Sequence, residues 1–322
     1  MDPLSRCAAL SLPKDSLAIL PFYQSQAELD AMDQDHIRDI PYSPSFILDL
    51  PMSVDNNIHH IIDFVFLPGF NNPTMAVLFQ PQPTWMGRLK ESKDTVRLVI
   101  FTLDIQAQKF PTITSIESLP HDCFSLLPCS TIVSGAIILT PNSLIYVDQA
   151  SRRVVLPVNG WASRITDLSM SPPEHNLLLE GSRAAFIDEK TVVLTLKDGT
   201  IYPVELVVDG KTVTKLSIGA PLAQTTIPSL ARTISVTHGL CLLGSTVGPS
   251  VLVKTVRVEE EVEDDTTTTT SFHDIVMDDE DGIQHSFTRS FTGSCSLALL
   301  QISTALLTQR SRREMRAKKR DR

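Results

Sequence analysis

Two Asp-Gly pairs eleven residues apart, Asp198-Gly199 and Asp209-Gly210, do more than any other feature to limit the folds open to this chain. They separate KTVVLTLK, TIYPVELVV and KTVTKLSI, three runs rich in Val, Leu, Thr and Ile. Asp-Gly suits a left-handed type I′ turn, whose twist matches two antiparallel strands, so the sequence predicts a three-stranded meander. The same pattern extends over residues 1–257. Ser16–Phe22, Ser45–Leu50, Ile61–Leu67, Thr74–Phe79, Thr95–Leu103, Ser134–Leu139, Ser143–Val147, Thr191–Leu196, Thr200–Val208, Lys211–Ile218, Leu240–Leu243 and Ser250–Val256 read as strands. Each is a short apolar run bounded by Pro, Gly, Asn, Asp or Ser.

A strand, a short turn and a second strand recur from Thr74, Gly135, Lys190 and Gly239. The separation is roughly 50–60 residues, and four-stranded units repeated at about this spacing mark a β-propeller. Excess length falls to loops such as Gln80–Asp94 and Ser169–Ser182. The competing all-β fold is a sandwich with irregular hairpins. Composition agrees with strands: 21 prolines against 13 glycines disfavour both a long-helix protein and a glycine-rich nucleotide-binding protein.

After Val258 the character changes. Glu259 to Asp281 holds eleven acidic residues, no Lys or Arg, and the run Thr266–Thr270. Such a segment buries too little apolar surface to offset its ordering entropy, so disorder is expected over 258–294. Residues 295–322 are first apolar (CSLALLQISTALL) and then basic, with eight Lys and Arg against two acids from Arg310. Arg310, Arg312, Arg313, Arg316, Lys318, Lys319 and Arg320 read either as a solvated tail or as a nuclear-import or RNA-contacting patch.

The net charge of −9 opposes broad phosphate neutralisation by the body of the chain. Five unclustered cysteines (Cys7, Cys123, Cys129, Cys241 and Cys295) read as reduced, core-filling thiols of an intracellular protein. The N-terminal stretch has no secretory pattern, and no apolar run reaches the ~18 residues of a membrane helix.

Chemistry is sparse. His121-x-Cys123 with Cys129 lacks the second ligand pair of a structural zinc site, and Cys123 and Cys129 are expected to pack beside Phe124 and Leu126. His59 and His60 are adjacent before a strand, where neighbours face opposite sides. No nucleophile elbow, phosphate loop or His-Glu-x-x-His helix is present. Asp63 and Asp188 fit turn or edge roles better than catalysis. The expectation is a non-enzyme without cofactor, metal or small-molecule substrate. Trp85 beside Arg88 offers an aromatic face and a cation for a partner, or a cover for an inter-blade groove. In VNGWASR, Asn159-Gly160 reads as a turn with Trp161 as its hydrophobic anchor.

A set of segments then places the chain among known proteins. LPFYQSQAELD, DIPYSPSFILDLP, IIDFVFLPGFNNPTMAVLFQ, PTWMGRLKESKDT, NSLIYVDQASRRVVLPVNGWASR, LKDGTIYPVELVVDGK and GLCLLGSTVGPSVLVK resemble, in order, the large-subunit family of the cleavage and polyadenylation specificity factor, in its fungal form. The resemblance runs from about Asp2 to Lys254. That family belongs to a superfamily of triple-propeller scaffolds with the large damaged-DNA-binding subunit and a splicing-factor subunit. Pro83-Thr84-Trp85 with Gly87-Arg88, the Asn142–Ile145 to Asp148-Gln149 strand and the Asn159-Gly160-Trp161 loop point to the polyadenylation member. The resemblance implies an incomplete first propeller of four to five blades over 1–257, marginal in isolation unless a partner completes it.

It also implies a nuclear, non-catalytic, nucleic-acid-binding scaffold of pre-mRNA 3′-end processing, with WD-repeat and zinc-finger subunits as partners and no membrane association. A ubiquitin-ligase or DNA-repair adaptor, or a splicing scaffold, would share the fold without the Trp85–Arg88 insertion. A propeller enzyme would need acids, histidines or a metal converging on the central channel.

Overall fold

A computed structural model of the chain describes residues 1–22, 44–105, 107–210, 212–224, 231–237, 240–245, 250–258 and 297–303. They build five antiparallel sheets. The first has three strands, β1 (Cys7–Leu12), β2 (Ser16–Pro21) and β3 (Phe46–Asp49), followed by the one-turn helix α1 (Leu50–Ser53). The second is a four-stranded meander of β4 (Ile61–Leu67), β5 (Thr74–Phe79), β6 (Val96–Thr102) and β7 (Thr112–Leu119). The third repeats it with β8 (Ser125–Pro128), β9 (Ala136–Leu139), β10 (Ser143–Val147) and β11 (Arg153–Pro157), leading into the one-turn helix α2 (Ala162–Ile165). The fourth orders β12 (Arg183–Phe186), β13 (Thr191–Thr195), β14 (Thr200–Asp209) and β15 (Thr212–Ile218), with β16 (Ala223–Gln224) on the start of β14. The fifth contains β17 (Ala231–Thr237), β18 (Leu240–Ser245), β19 (Val251–Val258) and β20 (Leu297–Ser303).

The chain divides into two compact units. One comprises Met1–Glu180, Asp188–Lys190 and Glu205–Ser217; the other comprises Gly181–Ile187, Thr191–Val204 and Ile218–Arg322. Within the first unit, strand periodicity explains how the sheets stack. Alternate side chains point to opposite faces of a strand, and β5 is buried at every position. Its Met75, Val77 and Phe79 join Val99 and Phe101 of β6 in a cluster with Leu17, Ile19 and Leu48 of the first sheet. Ala76 and Leu78, with Leu98 and Ile100, face the other way and pack on Leu126, Ala136, Ile138 and Ile145 of the third sheet. One strand therefore serves two cores. Each fully buried aliphatic or Phe side chain contributes about 1.5–3 kcal/mol relative to exposure, so this sandwiching of the second sheet is the main stabilising term of the unit.

Polar groups fasten the same stack. Asp63 on β4 accepts from the Leu126 backbone N–H at 2.8 Å and the Ser125 hydroxyl at 3.1 Å, joining the second sheet to β8. Its other oxygen accepts from the Phe64 N–H at 2.9 Å. A clamp between sheets is therefore its role, in line with the edge reading of this acid. Asp63→Ala leaves a buried-strand N–H without a partner, a change worth about 1.5–3 kcal/mol. Urea unfolding followed by circular dichroism should show that loss, while Asp55→Ala, on a surface turn, should stay near wild type.

Asp2 is the second polar fastener. Its carboxylate takes a two-pronged contact from Arg6, Nε to Oδ2 and Nη2 to Oδ1, both at 2.8 Å, and Arg6 also donates to the Phe70 and Asn71 carbonyls. Burial pushes the Asp2 carboxyl up, but the Arg6 hydrogen bonds outweigh it and hold the group below its ordinary value.

In the second unit, Arg183↔Thr195 opens the β12–β13 register, and Ile201, Val193, Cys241 and Leu243 form a small buried cluster. β20 pairs along β19 from Leu252↔Ser303 to Val258↔Leu297. The apolar stretch after Cys295, without an assigned structure in the sequence reading, thus supplies the fourth strand of this sheet.

The all-β expectation holds, and so does the order β13-β14-β15 for the Asp-Gly meander. At the first of the two turns the chemistry differs from type I′. Of Asp198 and Gly199 only the glycine has a positive φ, 87°. The Gly199 N–H meets the Leu196 carbonyl at 3.0 Å and the Leu196 N–H meets the Thr200 carbonyl at 2.8 Å. That is the longer hairpin in which a right-handed turn ends in a left-handed glycine. Asp198 contributes its side chain instead, accepting from the Thr200 N–H at 2.9 Å.

Cys7, Cys123, Cys129 and Cys241 are free and buried, as expected of core thiols. Burial pushes the Cys7 and Cys241 thiols up to about 11, and those of Cys123 and Cys129 further still. Cys123 packs in the same cluster as Leu126. Cys295, the acidic stretch from Glu259 and the basic run Arg310–Arg320 lie outside the described residues. No helix among the described residues is long and apolar enough to cross a membrane.

Candidate interaction surface

Trp85 and Arg88 sit on the connection from β5 to β6. Two hydrogen bonds shape it: Gln80 Nε2 donates to Thr95 Oγ1 at 2.7 Å across the base of the loop, and Thr84 Oγ1 donates to the Ser92 carbonyl at 3.1 Å. Trp85 is extended (φ −143°) and precedes a single 3-10 turn, Met86–Arg88, closed by the Arg88 N–H on the Trp85 carbonyl at 2.8 Å. A Cβ at position 87 would lie 3.3 Å from the Trp85 indole nitrogen, so the glycine lets the ring lie against the backbone. The Arg88 guanidinium carbon stands 5.7 Å from the ring centroid, within cation–π range. Trp85 remains 64% exposed. A tryptophan sealing a groove between sheets would be largely covered; this one is presented.

The structure adds a second turn of the same kind. After β11, Asn159 is buried and accepts from the Trp161 N–H at 2.9 Å while its amide donates to the Leu177 carbonyl at 2.6 Å. This side-chain turn starts α2, whose Arg164 N–H meets the Trp161 carbonyl at 2.9 Å. Arg164 stacks on the Trp161 ring at 4.8 Å. Trp161 is 59% exposed, which corrects its reading as the hydrophobic anchor. Val158 and Ala162 occupy the buried positions on either side. Gly160 needs no left-handed backbone, because the Asn159 side chain closes the turn. Sequence did carry a signal for this site: Trp85-x-x-Arg88 and Trp161-x-x-Arg164 share one spacing, and these are the two tryptophans of the chain.

The two turns are tied together. Lys93, just beyond the first, meets Asp167, just beyond the second, at 2.9 Å, and the Asp167 N–H donates to Asp94 Oδ2 at 3.0 Å. Between the tethers lies a shallow cleft of about 420 Å³ lined by Glu91, Asp94, Ser118 and Leu168 among others. Behind it, Asn142 donates to Asp122 Oδ2 at 3.0 Å, and burial raises that carboxyl above its ordinary value despite the amide. Among the described residues no three His, Cys, Asp or Glu side chains converge as metal ligands. Asp188 caps a local turn through the Lys190 N–H at 2.9 Å.

Comparison with known proteins adds ancestry. A family described as the RSE1/DDB1/CPSF1 first beta-propeller matches residues 1–273. Protein cft1 of Schizosaccharomyces pombe is 36% identical over 231 residues, covering 68% of this chain and 16% of that protein. Cleavage and polyadenylation specificity factor subunit 1 of Drosophila melanogaster is 30% identical over 284 residues, 82% of this chain and 19% of its own length. Protein cft1 of Neurospora crassa is 30% identical over 295 residues, again 81% and 19%. The chain thus spans under a fifth of each of these relatives. The sheets, their stacking in the first unit and the match across most of the length lead to one conclusion: this chain belongs to the RSE1/DDB1/CPSF1 first β-propeller family.

Proposed function

We propose that this chain is the first-propeller portion of a non-catalytic scaffold in nuclear pre-mRNA 3′-end cleavage and polyadenylation. The names of its relatives support the process, since both cft1 proteins and the Drosophila subunit align over two thirds or more of the chain. The observation that carries the scaffold role is the presented pair of Trp–Arg turns. Exposed Trp and Arg are the residue types that dominate protein–protein hot spots. They stand on loops shaped by hydrogen bonds.

Other subunits of the processing machinery, including WD-repeat and zinc-finger proteins, are the partners this reading implies, with Trp85 and Arg88 among the contacts. Affinity purification of the tagged chain from nuclear extract should recover cleavage and polyadenylation subunits; recovery of ubiquitin-ligase or splicing subunits in their place would overturn the assignment. RNA contact, in this reading, belongs to the basic run Arg310, Arg312, Arg313, Arg316, Lys318, Lys319 and Arg320, because the chain as a whole carries −9. Deleting residues 310–322 should abolish RNA binding, and binding that survives the deletion refutes that placement.

A further inference from the structure

We propose that the two Trp-x-x-Arg turns form one bipartite docking surface for an extended protein segment that carries apolar or proline side chains with spaced carboxylates. Three observations converge on this. Both indoles are more than half exposed, an unusual cost for the two largest aromatic side chains of the chain. Both stand on shaped turns: the Trp85 ring lies against Gly87, and the buried Asn159 side chain fixes the Trp161 backbone N–H. Both carry a stacked arginine, and among the described residues neither Arg88 nor Arg164 has a carboxylate partner.

The chemistry of the partner follows from those groups. An indole face takes apolar and proline side chains. A guanidinium stacked on a ring keeps its planar N–H donors free for a carboxylate, which it can grip with two hydrogen bonds. The Lys93–Asp167 ion pair joins the connections that follow the two turns, and in this proposal one extended segment lies across both. A continuous polyanion fits poorly, because Glu91, Asp94 and Asp167 line the cleft where the connections that follow the two turns meet. Carboxylates spaced to meet two guanidiniums avoid that repulsion, whereas a phosphate at every nucleotide does not.

The proposal deepens the scaffold reading and names the partner chemistry, but its test does not use polyadenylation factors, so the two fail separately. The full chain is titrated against a fluorescein-labelled 18-residue peptide of repeated Glu-Pro-Leu, with repeated Gln-Pro-Leu and an 18-nucleotide oligouridylate as parallel arms. Binding of the Glu peptide should be saturable and quench the two tryptophans. Each of Trp85→Ala and Trp161→Ala should weaken it by about tenfold or more, as hot-spot truncations do. Replacing Glu by Gln in the peptide should cost a similar factor, and Arg88→Lys should weaken binding while preserving charge. Circular dichroism melting checks that each variant folds. Absence of peptide binding by the folded chain, dependence on only one of the two turns, or oligouridylate binding through the same tryptophans would each overturn the proposal.

Discussion

Gly135→Ala is expected to destabilise this chain strongly. Gly135 has φ +82°, and a Cβ there would stand 2.3 Å from the Val147 carbonyl oxygen and 3.2 Å from the Asp148 Cα. Both obstacles are backbone, and they belong to the end of β10 where it pairs with β9 through Val147↔Ala136. No side chain can rotate away. The ladder itself must move, and with it Tyr146, whose hydroxyl donates to the carbonyls of Val133 and Ser134 at 3.2 Å each. A left-handed alanine costs roughly 1–2 kcal/mol on its own, and forced shifts in a close-packed core add about 1–3 more.

The expected loss is therefore about 2–5 kcal/mol, read as a fall in the urea midpoint by circular dichroism. Gly160→Ala is the matched control. That glycine has nothing within 4 Å and no left-handed backbone, so its midpoint should stay within about 0.5 kcal/mol of wild type. A Gly135→Ala protein as stable as that control would mean that the β9–β10 corner is not packed as described.

The contrast between those two glycines also shows what local sequence can and cannot convey. Asn159-Gly160 has the composition of a tight turn, yet the turn is made by the asparagine side chain and the glycine is dispensable in conformation. Gly135 follows Ser134 in a common turn pair, yet it is the approach of the Val147 and Asp148 backbone that reserves the position for glycine. Close approach of distant backbone is a tertiary fact, and residues 147 and 148 are silent about it in sequence. The same logic separates the strands that periodicity found from those it missed.

Ile61–Leu67, Thr74–Phe79 and Ser143–Val147 were legible to the residue, because the β5 and β10 strands are buried on both faces and so read as unbroken apolar runs. β1, β7, β8, β11, β12, β16, β17 and β20 escaped. β7 (TITSIESL) is mostly exposed at the edge of its sheet, and β8 and β12 have four residues each. Edge strands need few apolar residues, so their sequences resemble loops. At the candidate site the Trp85–Arg88 pair was legible from residue type alone. Trp161 departs from the anchor reading because hydrophobicity alone does not fix burial: the ring is 59% exposed.

Polar substitution on the outer face of the first sheet should change how the chain associates without changing how it folds. Among the described residues, the second sheet is covered on both faces and the first on one. Cys7, Leu17, Ile19 and Leu48 point into the shared core. On the other face, register sets Leu10 opposite Ala18 and Ala18 opposite Ile47, with Ala8 opposite Leu20 beside them. Leu10 is 55% and Ile47 69% exposed. An apolar sheet face open to water is a pairing surface, and for a purified chain the available cover is another copy.

Wild-type protein should therefore elute as associated species at tens of micromolar, the behaviour expected of a propeller portion that relies on a partner for cover. Covering one Leu or Ile is worth about 1.5–3 kcal/mol. The double variant Leu10→Glu/Ile47→Lys should accordingly weaken self-association by about a hundredfold or more and run as a monomer. Its melting midpoint should not fall, since neither side chain belongs to the core. Light scattering on gel-filtered protein decides the matter. A wild-type chain that is monomeric and sharply melting at that concentration, or a double variant that associates as strongly as its parent, would show that this face needs no cover.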